Sequence, residues 1–506
     1  MKADQPELKI GIIGAGSMGR GIAQVAAAGG CRVKLFDMDP EATDEAITFI
    51  EGMFKRAVEK KRMRPDQATA AIGQLHAVDK LDGLWDCQVI IEAAVENLDI
   101  KRRLFEKLES VIASDVILAS NTSSLSITTL ASECAHPERV AGMHFFNPVP
   151  LMKLVEVIDG LRTAPWVTDF LCDLGLRMGR EPIRVKDAPG FLVNQVGRGY
   201  TIEAAHLCAE GVADFADVDR IMQDAADFRM GPFALMDLTG IDVSHPATDL
   251  IYQQFFHEPR YRPSTLMKTR MEADFLGRKT GQGFYTYVDG KPQIAEEAAA
   301  PAGDGRAVWV SRANPDAHGQ IINLLELMNA KIDSGAVAAS NSLCLVAPLG
   351  LDATTAAVNE QLDPERTMAI DCLLPLSGRL TLMKTPVTDP VFAAAAHALF
   401  ASNDTPVTVI NDSAGFVAQR ILAMIVNIGC AIAQSGSATP ADIDKAVTLG
   451  LGYPHGPLAF GDMLGPRRVL EVLESLSQIT GDPRYRPTPW LRRRALLGKS
   501  LLTPAS

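Results

Sequence analysis

No stretch of the 506-residue chain approaches the roughly 18 uninterrupted apolar residues that mark a bilayer span, so no membrane segment is expected. The eight cysteines are scattered and include no C-x-x-C pair, which argues against a disulfide framework and against a zinc site. Positive charge is in the minority: 49 Lys and Arg face 61 Asp and Glu, for a net charge of -12. That balance makes general nucleic-acid binding unexpected. It leaves anionic ligands open, because local backbone amides and a few cations can hold them. The start, MKADQPELKIGIIGAG, does not read as a signal peptide, since Glu7 and Lys9 lie just before a strand that enters a glycine loop. A cytoplasmic protein is the expectation. Hydrophobic residues at 47% and charged residues at 22% exclude a disordered or fibrous chain. The length corresponds to two or three domains at roughly 100–200 residues each.

What is present begins with Lys9–Ile13, short, apolar and β-branched, as a buried parallel strand requires. It runs into Gly14-Ala15-Gly16-Ser17-Met18-Gly19, then an alanine-rich helical stretch from Ile22 to Ala28, then a second strand, Val33–Phe36, ending at Asp37. Gly14 allows the tight turn, Gly16 the close approach of a pyrophosphate, and Gly19 the packing of helix on strand. The helix N-terminus then presents amides and partial positive charge to phosphates. Asp37, placed to bind the ribose hydroxyls of an adenosine, would repel a 2′-phosphate, and Met38-Asp39 supplies no arginine. The unit therefore predicts dinucleotide binding, with NAD favoured over NADP.

Val89–Ala93 and Val116–Ala119 read as further parallel strands. Each ends in polar residues, Glu92 and Glu96-Asn97 in one case and Asn121-Thr122-Ser123-Ser124 in the other. In a doubly wound sheet such strand ends face the ligand. The segment Glu51–Arg64 carries Lys55, Arg56, Lys60, Lys61, Arg62 and Arg64. It is either a solvated helix face or a cationic arm meeting phosphates.

Val140–Met143 leads to His144-Phe145-Phe146-Asn147-Pro148-Val149-Pro150, and a following strand carries Glu156. A turn between the strands can bring His144 and Glu156 side by side. Oxidation of an alcohol by NAD needs a proton acceptor, and a neutral histidine suits it near pH 7. A carboxylate on its other ring nitrogen fixes the tautomer and stabilises the imidazolium. Ser123 and Asn194 are candidates to hydrogen-bond the reacting oxygen or a carbonyl. A purely structural strand-end histidine, and a serine that only caps a helix, remain the competing readings.

At these positions the chain resembles the 3-hydroxyacyl-CoA dehydrogenase family. The matching runs are GAGSMGRGIA, EAAVENL, SNTSSLSIT, HFFNPVPLMKLVEV, DAPGFLVN, GPFALMDLTG and LGRKTGQGFY, spread over roughly residues 8–287. The resemblance implies reversible NAD-dependent oxidation of an (S)-3-hydroxyacyl-coenzyme A. His144 would be the base, Glu156 its partner, and Ser123 and Asn194 positioning groups. Gly14, Gly16, Ser17, Met18, Gly19, Asp37, Glu96 and Asn121 would lie in the cofactor region. Two other functions compete. One is a hydroxyacid dehydrogenase with a lysine base, for which Lys153 is the available residue. The other is an NAD-binding protein without catalysis, which would be expected to have lost His144 or Glu156.

The remaining length repeats the first part. Gly190-Phe191 recurs as Gly415-Phe416, Gly211 as Gly436, Asp219 as Asp444, Gly231-Pro232 as Gly456-Pro457, Asp237 as Asp462 and Gly240 as Gly465, each 225 apart. Tyr261-Arg262-Pro263 recurs as Tyr485-Arg486-Pro487. Pro137-Glu138-Arg139 matches Pro364-Glu365-Arg366 at an offset of 227, which puts Ser123 on Gly350, His144 on Asp371 and Glu156 on Met383, while Asn194 falls on Gln419. No glycine loop precedes this second copy. The expected fold is a Rossmann-like doubly wound α/β sheet followed by an all-α domain, then a degenerate repeat ending in a second all-α domain. The expected boundaries are 1–187, 188–290, a linker at 291–318, a degenerate half at 319–410, and 411–506. One active site per chain follows. Family members commonly pair through helical domains, so the twin modules imply a monomer with an internal pseudo-dimer, or a homodimer. The long form is similar to the family branch acting on 3-hydroxyadipyl-CoA in aerobic phenylacetate breakdown. Arg198, four residues after Asn194 on one helix face, is then a candidate for the distal carboxylate, against the alternative of an ordinary ion pair.

Overall fold

Short apolar runs build the first sheet: β1 (Lys9–Ile13), β2 (Arg32–Phe36), β3 (Leu75–Ala77), β4 (Val89–Glu92), β5 (Ile117–Ser120), β6 (Val140–Phe145), β7 (Leu154–Asp159) and β8 (Glu181–Lys186). Their order is β3-β2-β1-β4-β5-β6-β7-β8. All neighbours run parallel except β6 and β7. Alternate residues Ile10 and Ile12 of β1, Val33 and Leu35 of β2, and Val89 and Ile91 of β4 enter one core. The helix Ser17–Ala28 joins β1 to β2 and buries Ile22, Ala23, Val25 and Ala26. Strand order reverses between β1 and β4, which makes the carboxyl end of β1 the switch point where such sheets bind ligands. The structure is a computed structural model describing residues 2–504.

The chain divides into two units. The first takes residues up to Asn194 together with Ser435–Leu451, and the second takes Gln195–Gln434 together with Gly452 onward. The first unit thus borrows a helix, Pro440–Leu451, from far along the sequence.

In the second unit a hairpin of β9 (Thr286–Val288) and β10 (Lys291–Gln293) closes the first helical region. A second sheet follows, of β11 (Val308–Val310), β12 (Leu343–Val346), β13 (Thr367–Ile370), β14 (Leu380–Lys384) and β15 (Val407–Ile410), in that order. Only β13 and β14 run antiparallel. The pattern repeats β4 through β8, and among the described residues nothing repeats the glycine loop of β1. Two expectations need correction here. The segment 291–318, expected as linker, contains β10, β11 and the start of the helix Pro315–Leu327. A three-residue strand is too short to show a period, although Val308, Trp309 and Val310 are all buried. Glu156 also has a different counterpart. Ala369 pairs with Met383, and the Asp371 amide donates to the Thr381 carbonyl at 3.0 Å. Thr381, not Met383, therefore stands opposite Asp371. The turn is two residues shorter than in the first copy, so the offset changes there from 227 to 225.

The twin helical modules pack together inside the second unit. A Cβ on Gly199 would lie 3.3 Å from the backbone of Ile425, so Val193–Ala209 and Ala418–Ser435 cross closely at that glycine. Arg420 reaches Glu203, and both are 2% exposed. It also holds Glu210 through two nitrogens at 2.6 and 2.8 Å. The Tyr485 hydroxyl donates to Glu203 at 2.7 Å, and Arg484 donates to Glu210 at 3.2 Å. Burial alone would push the Glu203 carboxyl up, but the charges of Arg420 and Arg484 outweigh it and hold the carboxyl below its ordinary value.

Candidate active site

His144 and Glu156 are register partners across the antiparallel β6–β7 pair. Strand pairing therefore sets their side chains on one face, and His144 Nδ1 lies 2.7 Å from Glu156 Oε2. The other carboxylate oxygen is also fixed. Glu156 Oε1 accepts from the Leu192 amide at 3.1 Å and the Val193 amide at 3.0 Å, at the start of the helix Val193–Ala209. Both donors sit at the helix N-terminus, whose partial positive charge faces the carboxylate. The ring of His144 packs against Phe146, with centroids 4.5 Å apart, and Phe191, 5.9 Å away. His144 is 5% exposed and Glu156 is fully buried.

The polar end of β5 lies in the same unit. Asn194 Nδ2 donates to the Ser123 carbonyl at 3.2 Å, so both expected positioning residues are neighbours. Asn121 Oδ1 accepts from the Phe145 amide at 2.8 Å, tying this loop to the residue after His144. Glu96 organises the loop: its Oε1 accepts from the Thr122 hydroxyl at 2.7 Å, the Ser123 amide at 3.0 Å and the Ser124 hydroxyl at 2.9 Å. Burial tends to raise the Glu96 carboxyl, but these donors and the Lys101 ammonium hold it below its ordinary value.

Sequence reasoning missed Lys101. It is 1% exposed, with its ammonium 2.5 Å from Glu92 and 3.5 Å from Glu96. Glu92 in turn accepts from the Ser120 hydroxyl at 2.6 Å and the Ala94 amide at 2.7 Å. The available signal was spacing: Lys101 shares the buried face of Leu98–Glu109 with Phe105 and Leu108, where a lysine needs an anionic partner.

The chain matches the profile described as 3-hydroxyacyl-CoA dehydrogenase, NAD binding domain, over residues 9–188. It matches the corresponding C-terminal domain twice, over 190–287 and 415–501. It is 35% identical over 96% of its length, and 97% of the relative's, to the 3-hydroxyadipyl-CoA dehydrogenase of Escherichia coli K12. The chain belongs to the 3-hydroxyacyl-CoA dehydrogenase family. Another relative, the 3-hydroxybutyryl-CoA dehydrogenase of Bradyrhizobium diazoefficiens, is 40% identical over 56% of this chain and 97% of its own. A crystal structure described as 3-hydroxybutyryl-CoA dehydrogenase from E. coli K12 superposes with a TM-score of 0.85 at 34% identity, covering 97% of this chain and 99% of that one.

As a 3-hydroxyacyl-CoA dehydrogenase the protein is an NAD-dependent oxidoreductase. Within its glycine loop, the chain's own packing leaves no room for a side chain at two of the three glycines. Gly14 takes a φ of 101°, and a Cβ there would meet the Ala93 carbonyl at 2.6 Å. A Cβ on Gly19 would strike the Gly14 carbonyl at 1.7 Å, whereas around Gly16 nothing lies within 4 Å. Gly16 caps the helix without a side chain, Ser17 beside it is exposed, and Met18 packs partly into the core. Asp37 directly follows β2, half-buried, and its carboxylate accepts from the Ala15 amide at 2.7 Å. It braces the loop as well as presenting an acid beside it.

The remaining candidates are less centred. The basic run is a helix end and a turn: Pro40–Glu59 stops before Lys60, and Arg64 opens the next helix. Lys55 is exposed, 3.8 Å from Glu51. The guanidinium of Arg198 donates to the Ser244 carbonyl at 3.3 Å and to the Thr248 hydroxyl, both on the helix Ile241–Gln254. Burial brings its pKa down to about 10, so it stays charged at neutral pH.

In the second copy the positions matching His144 and Glu156 hold Asp371 and Thr381. Gln419 ties Asp371 to the Gly350 backbone: its Nε2 donates to Asp371 at 2.9 Å and its Oε1 accepts from the Gly350 amide at 2.8 Å. Burial pushes the Asp371 carboxyl up. A cavity of about 700 Å³ opens nearby, lined by Asn314, Asn359, Glu360, Arg468 and Glu471, with no histidine among its lining residues. Among the described residues no cluster suits a metal ion, and no helix is long and apolar enough to cross a membrane.

Proposed function

We propose that this enzyme oxidises an (S)-3-hydroxyacyl-CoA to the 3-oxoacyl-CoA with His144 as proton acceptor. The 2.7 Å contact between His144 Nδ1 and Glu156 carries the reading. With Nδ1–H donating to the carboxylate, the neutral ring keeps its lone pair on Nε2. That nitrogen takes the proton of the 3-hydroxyl as the carbon–oxygen double bond forms. The hydrogen on C3 would leave with its electron pair as a hydride, for which bound NAD would supply the acceptor. The negative Glu156, fixed by two helix amides, stabilises the imidazolium. Ser123 and Asn194 orient the reacting oxygen or the thioester carbonyl. Gly14, Gly16, Ser17, Met18 and Gly19 cradle the pyrophosphate, Asp37 takes the adenosine ribose, and Glu96 and Asn121 shape the nicotinamide side.

The finer substrate we propose is 3-hydroxyadipyl-CoA, as in phenylacetate breakdown. The full-length likeness to the E. coli enzyme of that name supports it, with Arg198 as partner for the distal carboxylate. Shorter 3-hydroxybutyryl-CoA is the second reading, favoured by the names of the other relatives. Arg198→Ala is expected to lower kcat/KM for 3-hydroxyadipyl-CoA at least about tenfold more than for 3-hydroxybutyryl-CoA, the size of one lost charge-assisted contact. Equal losses on the two substrates would remove Arg198 from the argument.

Lys55 and Lys60 are proposed to meet the coenzyme A phosphates. The double variant Lys55→Ala/Lys60→Ala should raise KM for acyl-CoA about threefold and leave KM for NADH unchanged, in keeping with exposed charges. An unchanged acyl-CoA KM assigns both to solvent. The paired helical modules support one chain as the working unit, and light scattering should give the mass of a monomer rather than a homodimer.

A further inference from the structure

The helix Pro440–Leu451 belongs by sequence to the second helical module, yet it lies in the first unit, packed on β7 and β8. Its entry is fixed by the Lys186 amide, which donates to the Ser437 carbonyl at 2.9 Å. The same bond recurs 225 residues away at both ends: the Asn411 amide donates to the Val212 carbonyl at 3.0 Å. Each module therefore lends a segment to the edge of the other copy's sheet. The repeat explains the architecture, but only one of the two sheets carries a His–Glu pair.

On that sheet the borrowed helix presents Ile443, Ala446 and Val447, all buried, and then Gly450. This is a single face at helical spacing. A Cβ on Gly450 would stand 2.8 Å from Leu154 Cδ2 and 3.1 and 3.3 Å from the two methyls of Val193. Leu154 precedes Glu156 by two residues, so their side chains share a face of β7. Val193 supplies one of the two amides that hold Glu156. Both residues are fully buried. A β-branched side chain on a helix has one favoured rotamer, so Val193 relieves such a clash by moving its backbone. The exposed Lys445–Glu181 pair, at 2.7 Å, adds little to this packing.

We propose that the segment 435–451, supplied by the second half of the chain, is a working part of the catalytic unit, with Gly450 a positioning residue that sets Glu156 through Leu154 and Val193. The inference rests on the His144–Glu156 reading above. It gives the second half a role in turnover although its own catalytic positions hold Asp371 and Thr381.

The test is a double-mutant cycle on the full chain, with acetoacetyl-CoA and NADH. Gly450→Val should lower kcat about 10- to 100-fold, the range that a displaced catalytic group costs, with the NADH dissociation constant unchanged. Gly450→Ala should retain more activity than Gly450→Val. In a Glu156→Gln background, Gly450→Val should cost less than about twofold more, because the group it displaces is already gone. Full kcat in Gly450→Val, or the same fold-loss in both backgrounds, would overturn the proposal. If the valine variant does not fold, Gly450→Ala is read in the same cycle with the same criterion at a smaller amplitude. Wild-type kcat in Glu156→Gln alone would instead strike the His–Glu reading, so the two failures are distinguishable.

Discussion

Replacing His144 with alanine is expected to lower kcat for acetoacetyl-CoA reduction by about 100- to 10,000-fold, the contribution of a positioned acid–base group. In that direction the imidazolium gives its proton to the forming alkoxide, so the same residue serves both directions. NADH binding should hold, because the glycine loop and Asp37 follow β1 and β2 while His144 belongs to β6. A lowered kcat with an unchanged NADH dissociation constant, read from NADH fluorescence and absorbance, is the expected pattern. A parallel loss of NADH binding would point to a structural histidine. A binding protein without catalysis would show no turnover even in the wild type. A hydroxyacid dehydrogenase with a lysine base would oxidise free hydroxyacids and survive the substitution.

The second large effect is on stability. Arg420→Met leaves Glu203 buried with one of its cationic partners removed, since Arg484 lies only within 3.9 Å and Tyr485 is neutral. Breaking one partner of a buried pair costs about 3–5 kcal/mol. The urea midpoint should fall accordingly, and Glu203→Gln added to Arg420→Met should recover part of the loss. A midpoint unchanged by Arg420→Met would show that the cluster contributes little. The pH dependence follows from the carboxyls. Glu203 and Glu210 both sit below their ordinary values, where burial opposes but the arginines prevail. Their contribution is complete above the ordinary glutamate range and is lost as pH falls through the lower folded values. Acid should therefore destabilise the wild type more steeply than the double variant.

How much of this was legible in the sequence depends on how local each feature is. The unit from Lys9 to Asp37 was readable because turn, helix and both strands lie within thirty residues, and Gly14 and Gly19 each have a steric reason. The His144–Glu156 pair was readable because one short turn joins their strands. The amides of Leu192 and Val193 that complete the site were not, since a backbone donor leaves no residue-type signature. The burial of Lys101 needed the fold to bring Glu92 beneath it. The slip from Met383 to Thr381 opposite Asp371 came from a turn two residues shorter, invisible when one offset is carried across it. Nor does any local pattern announce that residues 435–451 join the first unit. That placement follows from the repeat's symmetry, which becomes visible only when Lys186 meets Ser437 and Asn411 meets Val212.

The most direct measurement is the kinetic coupling of His144 and Glu156. Turnover of acetoacetyl-CoA with saturating NADH would be compared in the wild type, His144→Ala, Glu156→Gln and the double variant. If the carboxylate acts only through the imidazole, the double variant turns over no more slowly than His144→Ala alone. Losses that multiply would show the two residues acting separately and contradict the account.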